Sequence, residues 1–340
     1  MKKIISLFSG CGAMDLGFKQ AGFKTILAND LLPFACDSLE KNKISEKIIC
    51  GNVKNIDFKK YHGVVDGLIG GPPCQPYSQT RHYLTNKKGG FEDKDNGFTV
   101  YEYLRALKEI SPKFFLFENV DGFFYKTHEA EFNYFIKHVK LFDYDVNYKV
   151  LNTANYGIPQ TRKRFICVGF KKPYSKFSFP EETHTGDIEK KPNLLPWVTC
   201  KESIGDFDNV LKKEKIKIPG GKHKDLFIKI PPGDNYLYFT EKRGCKNPEF
   251  KWKSKYWTFL LKLSPNRPSW TIQASFSQNQ GPFHWKNRFL RIEEIKRLQT
   301  IDDDYEILGN FKEQWKQIGN AFPSKMAKIL ANQIKITLGG

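Results

Sequence analysis

Short apolar runs alternate with amphipathic stretches along the first half of the chain. The apolar runs predict buried strands at residues 3–8, 24–28, 64–69, 114–117 and 164–170. The amphipathic stretches predict helices at residues 14–20, 33–41, 99–110 and 129–141. Strands that alternate with helices indicate a mostly parallel sheet with helices on both faces. We therefore expect an α/β fold for residues 1–170.

A different pattern occupies residues 171–300. Its apolar runs are short, and turn sequences such as Pro219-Gly220-Gly221 and Pro231-Pro232-Gly233 interrupt them. This pattern predicts a smaller, irregular, mostly β domain. An amphipathic stretch at residues 327–338 predicts a closing helix, so we expect residues 301–340 to return to the first domain.

The chain is strongly basic. Its 340 residues include 55 Lys and Arg against 37 Asp and Glu, a formal charge of +18, and residues 171–262 alone hold 20 against 12. Such an excess favours a polyanionic partner, because binding to nucleic acid releases counterions. A lysine-rich composition is also typical of an A+T-rich genome, which leaves a neutral explanation open. No run of 18 apolar residues occurs, so we expect no membrane span.

The seven cysteines are scattered and form no C-x-x-C pair. This spacing is typical of reduced thiols and offers no zinc site, so we expect a cytoplasmic protein without a metal. Cys74 stands apart, because it follows a predicted strand and lies between Pro73 and Pro76. A lone cysteine is most often a small buried hydrophobe. The flanking prolines instead favour a thiol held at the end of the strand.

Two acidic groups and a glycine loop also follow predicted strands. The loop at residues 8–12 (FSGCG) joins the first strand to the first helix, and Asp30 ends the second strand. Glycines there allow a ligand to approach the backbone, and an acidic residue can accept hydrogen bonds from a ribose. The loop lacks the G-x-G-x-x-G pattern, so an ordinary tight turn is the alternative. Glu118 follows the apolar run at residues 114–117.

The order of six short motifs resembles that of the C5-cytosine DNA methyltransferases of bacterial restriction–modification systems. These motifs are Phe8–Gly12, Pro73-Cys74-Gln75, Glu118-Asn119-Val120, Gln160-x-Arg162-x-Arg164, Arg297-Leu298-Gln299 and Gln317-x-Gly319-Asn320-Ala321. They span nearly the whole chain outside residues 171–262. The resemblance implies a Rossmann-like class I methyltransferase sheet, with residues 171–300 as a target-recognition domain. It also implies methyl transfer from S-adenosylmethionine to C5 of a flipped-out cytosine in a specific site of double-stranded DNA.

The resemblance assigns catalytic roles to four residues. The Cys74 thiolate would add to C6 of cytosine and make C5 nucleophilic, thiolate being the reactive form of cysteine. Glu118 would meet N3 and the N4 amine, which requires a protonated carboxyl and hence a raised pKa. Arg164 is the expected partner of cytosine O2, and Arg162 would support the catalytic loop. Lys163 lies between the two arginines, so on a strand both would point to one face.

The resemblance also implies cofactor contacts and no metal. S-Adenosylmethionine, and its product S-adenosylhomocysteine, would contact Phe8, Gly10, Gly12, Asp30, Asn52, Pro73 and Asn320. Three positions depart from the family pattern. Asn52 replaces a common aspartate, Leu31 a frequent aromatic residue, and Asn96 an arginine that often precedes glycine.

The expected partner is duplex DNA, bound by a monomer, with a restriction endonuclease of the same site as a further possibility. Residues 79–96 would form a lid over the flipped base. Lysines of the basic region would contact phosphates. Six side chains there are of types that read base edges: Arg243, Arg267, Arg288, Gln278, Asn279 and Gln280. The sequence does not choose among them.

Three other functions compete with this interpretation. A tRNA cytosine methyltransferase of the same superfamily would use the same chemistry, but its Cys-Phe-Thr signature is absent. An inactive DNA-binding relative would not need to keep Cys74, Glu118, Arg162 and Arg164. A nucleotide-binding oxidoreductase is disfavoured because G-x-G-x-x-G is missing.

Overall fold

The computed structural model describes residues 1–73, 98–125, 128–174, 177–208, 217–253 and 256–339. Its first eight strands are β1 (Lys2–Leu7), β2 (Phe23–Asp30), β3 (Ser45–Cys50), β4 (Gly67–Gly70), β5 (Phe114–Val120), β6 (Tyr144–Asn152), β7 (Gln160–Thr161) and β8 (Lys163–Lys171). Seven of these form one sheet in the order β3-β2-β1-β4-β5-β8-β6. The strands from β3 to β5 are parallel, whereas β8 runs antiparallel to both β5 and β6.

Helices cover both faces of this sheet. The helices of the described residues are, in chain order, α1 (Ala13–Gln20), α2 (Pro33–Lys41), α3 (Thr99–Ile110), α4 (Glu129–Leu141), α5 (Cys200–Ile204), α6 (Lys224–Lys229), α7 (Ile292–Leu298), α8 (Phe311–Asn320) and α9 (Ser324–Thr337). Alternate strand residues serve opposite faces. Leu7 and Phe117 pack with α3 and α4, whereas Ile4 and Leu116 pack with α1 and α9.

The closing helix lies directly on the first one. A Cβ at Gly17 would stand 2.3 Å from the backbone oxygen of Ser324, so only glycine allows this approach of α1 to α9. Residues 324–337 thus complete the core around β1, on the same side as Phe18. The predicted domain boundaries at residues 170 and 300 remain predictions. Among the described residues, no helix is long and apolar enough to span a membrane.

The α/β sheet predicted from the apolar pattern is confirmed, but two strands were missed. β3 and β6 occupy the two edges of the sheet, and most of their residues are at least partly exposed. An edge strand needs few apolar residues, so β3 and β6 lack the continuous apolar run that marks the buried strands. Because β6 was not predicted, the antiparallel pairing at that end of the sheet was not predicted either.

Residues 171–300 are irregular, as predicted, but contain little regular strand. The described part has β9 (His184–Thr185), β10 (Leu195–Pro196) and β11 (Ser269–Trp270), each two residues long. Prolines and glycines interrupt longer pairing here. A small apolar core nevertheless forms around Phe227, Tyr236 and Phe283.

Candidate active site

The glycine loop is fixed by the side chain of Asp30. Asp30 Oδ2 accepts a hydrogen bond from the Gly10 backbone nitrogen at 2.8 Å, and Oδ1 accepts one from Leu32 at 2.9 Å. Burial raises the Asp30 pKa, and these two donors oppose the effect. Asp30 thus joins the ends of β1 and β2 at the carboxyl edge of the sheet, where α/β proteins bind ligands.

The two loop glycines have different surroundings. Gly10 has a φ of 56° and open space where a Cβ would stand. Gly12, with φ 79°, is buried, and a Cβ there would meet Leu39 Cδ2 at 2.6 Å. Gly10 therefore offers a cradle for a ligand, and Gly12 allows close packing behind it. Phe8 is half-buried at the start of the loop, with φ 57°.

A buried aspartate beneath the loop escaped the sequence analysis. Asp15 on α1 is fully buried and accepts hydrogen bonds from Ser6 Oγ at 3.0 Å and Thr25 Oγ1 at 3.2 Å. Burial raises its pKa to about 7. The carboxyl ties α1 to β1 and β2 under the cradle. An acidic residue within the otherwise apolar run at residues 13–18 was the signal that could have revealed it.

The end of β3 brings Asn52 beside Asp30. Gly51 donates its backbone N–H to the Asp30 carbonyl at 2.9 Å. Asn52 Oδ1 accepts from the Lys54 backbone nitrogen at 3.0 Å, so the amide oxygen is partly engaged in capping a turn. Leu31 leaves 63% of its surface exposed next to Asp30. Two of the three departures from the family pattern, Leu31 and Asn52, therefore lie at one edge, close to the glycine loop.

Glu118 and Arg164 form an ion pair at the adjoining strand ends. Arg164 Nε lies 2.9 Å from Glu118 Oε1, and both side chains are only slightly exposed. Glu118 opposes Ile166 in the antiparallel register of β5 and β8, which places Arg164 two residues away diagonally. Burial raises the Glu118 pKa, while Arg164 and then Arg162 act in the opposite direction.

The loop after β4 presses against Glu118. A Cβ on Gly71 would stand 2.8 Å from Glu118 Oε2, and Asn119 Nδ2 donates to the Pro72 carbonyl at 3.4 Å. Pro73 is the last described residue before Cys74. Cys74, the predicted lid at residues 79–96 and Asn96 lie outside the described residues.

Arg162 connects this site to two distant segments. It is 1% exposed and donates to the backbone oxygens of Ile272 at 3.1 Å and Gly319 at 3.0 Å, with Asn320 at 3.5 Å. Arg162 lies just before β8, outside the strand, and its side chain binds these backbone oxygens, whereas Arg164 contacts Glu118. The two arginines therefore have different partners, although the alternation along a strand predicted one common face. Asn320 ends α8 and is exposed. Within the described residues, no cluster of three or more His, Cys, Asp or Glu could hold a metal.

The sheet order, together with the polar groups gathered at its carboxyl edge, defines a Rossmann-like α/β protein. The family described as C-5 cytosine-specific DNA methylase matches residues 2–336, and the chain belongs to this family. It is a DNA cytosine-5-methyltransferase of the kind found in type II restriction–modification systems. The family predicted from the order of the motifs is thus confirmed.

Relatives and solved structures agree with this placement. Type II methyltransferase M.SacI of Streptomyces achromogenes is 34% identical, over 99% of this chain and 93% of its own. M.MthTI of Methanothermobacter thermautotrophicus is 33% identical, over 99% and 98%. A prophage-encoded E. coli protein superposes with a TM-score of 0.74 at 20% identity, covering 100% of both chains. Spodoptera frugiperda DNMT2 gives 0.67 at 16%, covering 99% and 100%. At such identities the structures show the fold alone.

Proposed function

We propose that the protein transfers a methyl group from S-adenosylmethionine to C5 of a cytosine flipped out of a specific duplex site, through a covalent bond between Cys74 and C6. The observation that carries this proposal is the buried Glu118–Arg164 pair. It lies against Gly71, which precedes Cys74 by three residues.

The residues at the carboxyl edge suit S-adenosylmethionine. Gly10 leaves open space at the cradle, and the Asp30 carboxylate beside it suits ribose hydroxyls. Asn52 Oδ1 keeps a second lone pair for an adenine amine, and exposed Leu31 can cover an apolar ring face. We propose that Phe8, Pro73 and Asn320 complete this pocket, with Gly12 supporting it from behind. When bound, the cofactor supplies an electrophilic methyl group.

Cys74 and Glu118 would activate the cytosine together. The Cys74 thiolate forms a bond to C6, and the electron pair displaced from the C5–C6 double bond gives C5 its nucleophilic character. Glu118 meets the charge that develops at N3, and its raised pKa favours the protonated form needed there. After methylation a water molecule takes the C5 proton, and the electron pair of that C–H bond re-forms the C5–C6 double bond. The C6–S bond breaks, the thiolate leaves, and the proton at N3 returns to Glu118.

The two arginines would act at different distances from the base. Arg164 orients the Glu118 carboxyl and would also present a donor toward cytosine O2. Arg162 is held on the backbone oxygens of residues 272 and 319, so it would position the strand end without touching the base.

The proposed partner is double-stranded DNA bound by a monomer. A charge of +18 provides the phosphate affinity, and flipping the target base costs a few kcal/mol of stacking. Because relatives such as M.SacI are type II methyltransferases, we also propose a restriction endonuclease that cuts the same site.

Bisulfite sequencing of a host that lacks cytosine methylation tests the function. Expression of the full chain should protect cytosines in one recurring sequence context throughout the host DNA. The same plasmid without the gene is the control. Unprotected DNA despite folded, expressed protein would overturn the proposed function and favour an inactive DNA-binding relative.

Gly71→Ala should damage catalysis more than stability. The added methyl group would stand 2.8 Å from Glu118 Oε2, so the carboxylate must move while Arg164 holds its other oxygen. Misplacement of a catalytic group by about 1 Å can cost about a hundredfold in rate, so we expect kcat to fall roughly ten- to a hundredfold. Single-turnover methylation of the identified site measures this.

Gly205→Ala is the matched control, because its Cβ would meet only the flexible Lys201 side chain, at 3.1 Å. It should retain wild-type kcat. If Gly71→Ala also retained wild-type kcat, the proposed contact between the residue 71 backbone and the working position of Glu118 would be wrong.

A further inference from the structure

The structure distinguishes among the six side chains whose chemistry suits base reading. Arg267 is exposed but does not line the cleft that Asn279 and Gln280 border. Arg288 is buried in a two-pronged ion pair with Glu294, at 2.8 and 2.6 Å, so it is not a reader. Arg243 is paired with Asp234 at 2.8 Å. Gln278, Asn279 and Gln280 instead lie together on one turn, and both glutamines are exposed.

This turn is held rigidly from both sides. Ser277 Oγ accepts from the backbone nitrogens of Asn279 at 3.2 Å and Gln280 at 3.1 Å. The Asn279 carbonyl accepts from Leu260 at 2.8 Å, and the Gln278 carbonyl accepts from Gly220 at 2.6 Å. Side chains on such a fixed backbone are pre-organised for binding, which reduces the entropy lost on contact.

A cleft of about 810 Å³ opens beside the turn. Asn279 and Gln280 line it on one side, and Tyr236, Phe250 and Phe259 provide aromatic walls. Asn279 Oδ1 is buried there without a hydrogen-bond partner among the described residues. A buried acceptor without a partner is costly, so rotation of the Asn279 amide toward a donor bound in the cleft would remove that cost.

The surroundings of the cleft are basic. Lys251 and Lys253 are exposed at its rim, with Glu249 nearby. Residues 217–253 hold nine Lys and Arg against four Asp and Glu. This balance suits phosphates on either side of a base pair seated at the cleft.

The segment that carries the turn also contacts the candidate active site. Ile272 accepts a hydrogen bond from Arg162, and Trp315 Nε1 on α8 donates to the Gln273 carbonyl at 2.9 Å. Asn279 follows Ile272 by seven residues, a span of at most about 25 Å. That distance corresponds to roughly seven base pairs of duplex. One bound DNA site can therefore reach both the turn and the backbone at Ile272 that Arg162 contacts.

We infer that Asn279 and Gln280 read an A·T base pair of the target through its major-groove edge, while Lys251 and Lys253 bind the flanking phosphates. This inference rests on the proposed function and adds the identity of its specificity residues. Asn and Gln amides pair with adenine N6 and N7. Gln280 presents its amide to solvent, and Asn279 Oδ1 could accept from N6 once its side chain turns into the cleft. The aromatic walls suit the thymine methyl group on the same pair.

The test uses the full chain on a plasmid library in which the bases around the methylated cytosine are randomised. Bisulfite sequencing then reports the preference at each position. Asn279→Ala and Gln280→Ala should lose discrimination at one A·T pair by about tenfold or more, because a good base contact contributes roughly this much. Other positions should keep their preference. Lys251→Gln should instead weaken binding to all sequences and lower the salt slope by about one.

Asn332→Ala is the matched control, since Asn332 is an exposed amide on α9. It should keep the wild-type profile. If the wild-type enzyme methylates one context and both turn variants keep its full preference, the inference fails while the function stands. If the wild-type chain methylates no context, the proposed function fails and the inference with it.

Discussion

Cys74→Ser is expected to abolish methyl transfer while leaving DNA binding largely intact. A serine hydroxyl is not appreciably ionised near neutral pH, so the variant lacks an anion that can add to C6. Loss of a covalent nucleophile commonly costs on the order of 10⁴-fold or more. Transfer of a radiolabelled methyl group to DNA measures the rate, and a filter-binding assay measures DNA affinity.

Duplex DNA with 5-fluorocytosine at the methylated position shows whether a variant fails to form the covalent bond to C6 or fails to fold. Fluorine cannot leave C5 as a cation, so the wild-type protein should stay covalently attached when cofactor is present. Cys74→Ser should bind this DNA and release it under denaturing conditions. Cys245→Ser, in the irregular region, serves as the control and should be trapped like the wild type. Full activity of Cys74→Ser would refute the covalent mechanism.

The sequence predicts the interior of this fold better than its edges. Predicted helices at residues 33–41, 99–110 and 129–141 have the same bounds in the structure. Their apolar faces pack on the sheet, so apolar residues recur in the sequence with the 3.6-residue period of a helix. β3 and β6 are edge strands with a single neighbour each. The alternation of apolar and polar residues that would mark such a strand in the sequence is weak in both.

The sequence predicted which residues belong to the candidate site, but not which contacts they make. Glu118 and Arg164 were each singled out, yet their ion pair depends on the antiparallel register of β5 and β8. A register joins residues that are far apart in sequence, and no local pattern specifies it. The same holds for the backbone oxygens of residues 272 and 319 that accept from Arg162. Arg288 was predicted as a candidate base reader, but in the structure it is buried and paired with Glu294.

Glu118→Gln is expected to lower kcat by roughly 10² to 10⁴, the usual range for general acid catalysis, with little change in DNA affinity. Glutamine keeps the size of the side chain and can still donate a hydrogen bond to N3, but it cannot transfer a proton. Burial raises the Glu118 pKa, and Arg164 partly offsets this, so the carboxyl holds its proton to a higher pH than an exposed glutamate. The wild-type advantage over the variant therefore depends on pH.

The direction of that dependence follows from the protonated form being the active one. As the pH rises through the Glu118 pKa, the wild-type enzyme loses its acid, whereas the glutamine amide does not titrate. The ratio of wild-type to variant kcat should therefore fall with rising pH, and ionisation of Cys74 cancels because both proteins share it. Single-turnover rates at several pH values measure the ratio, with Glu102→Gln on α3 as a control that follows the wild type. A ratio that stays constant or rises with pH would exclude Glu118 as a proton donor, and an unchanged rate would remove it from catalysis.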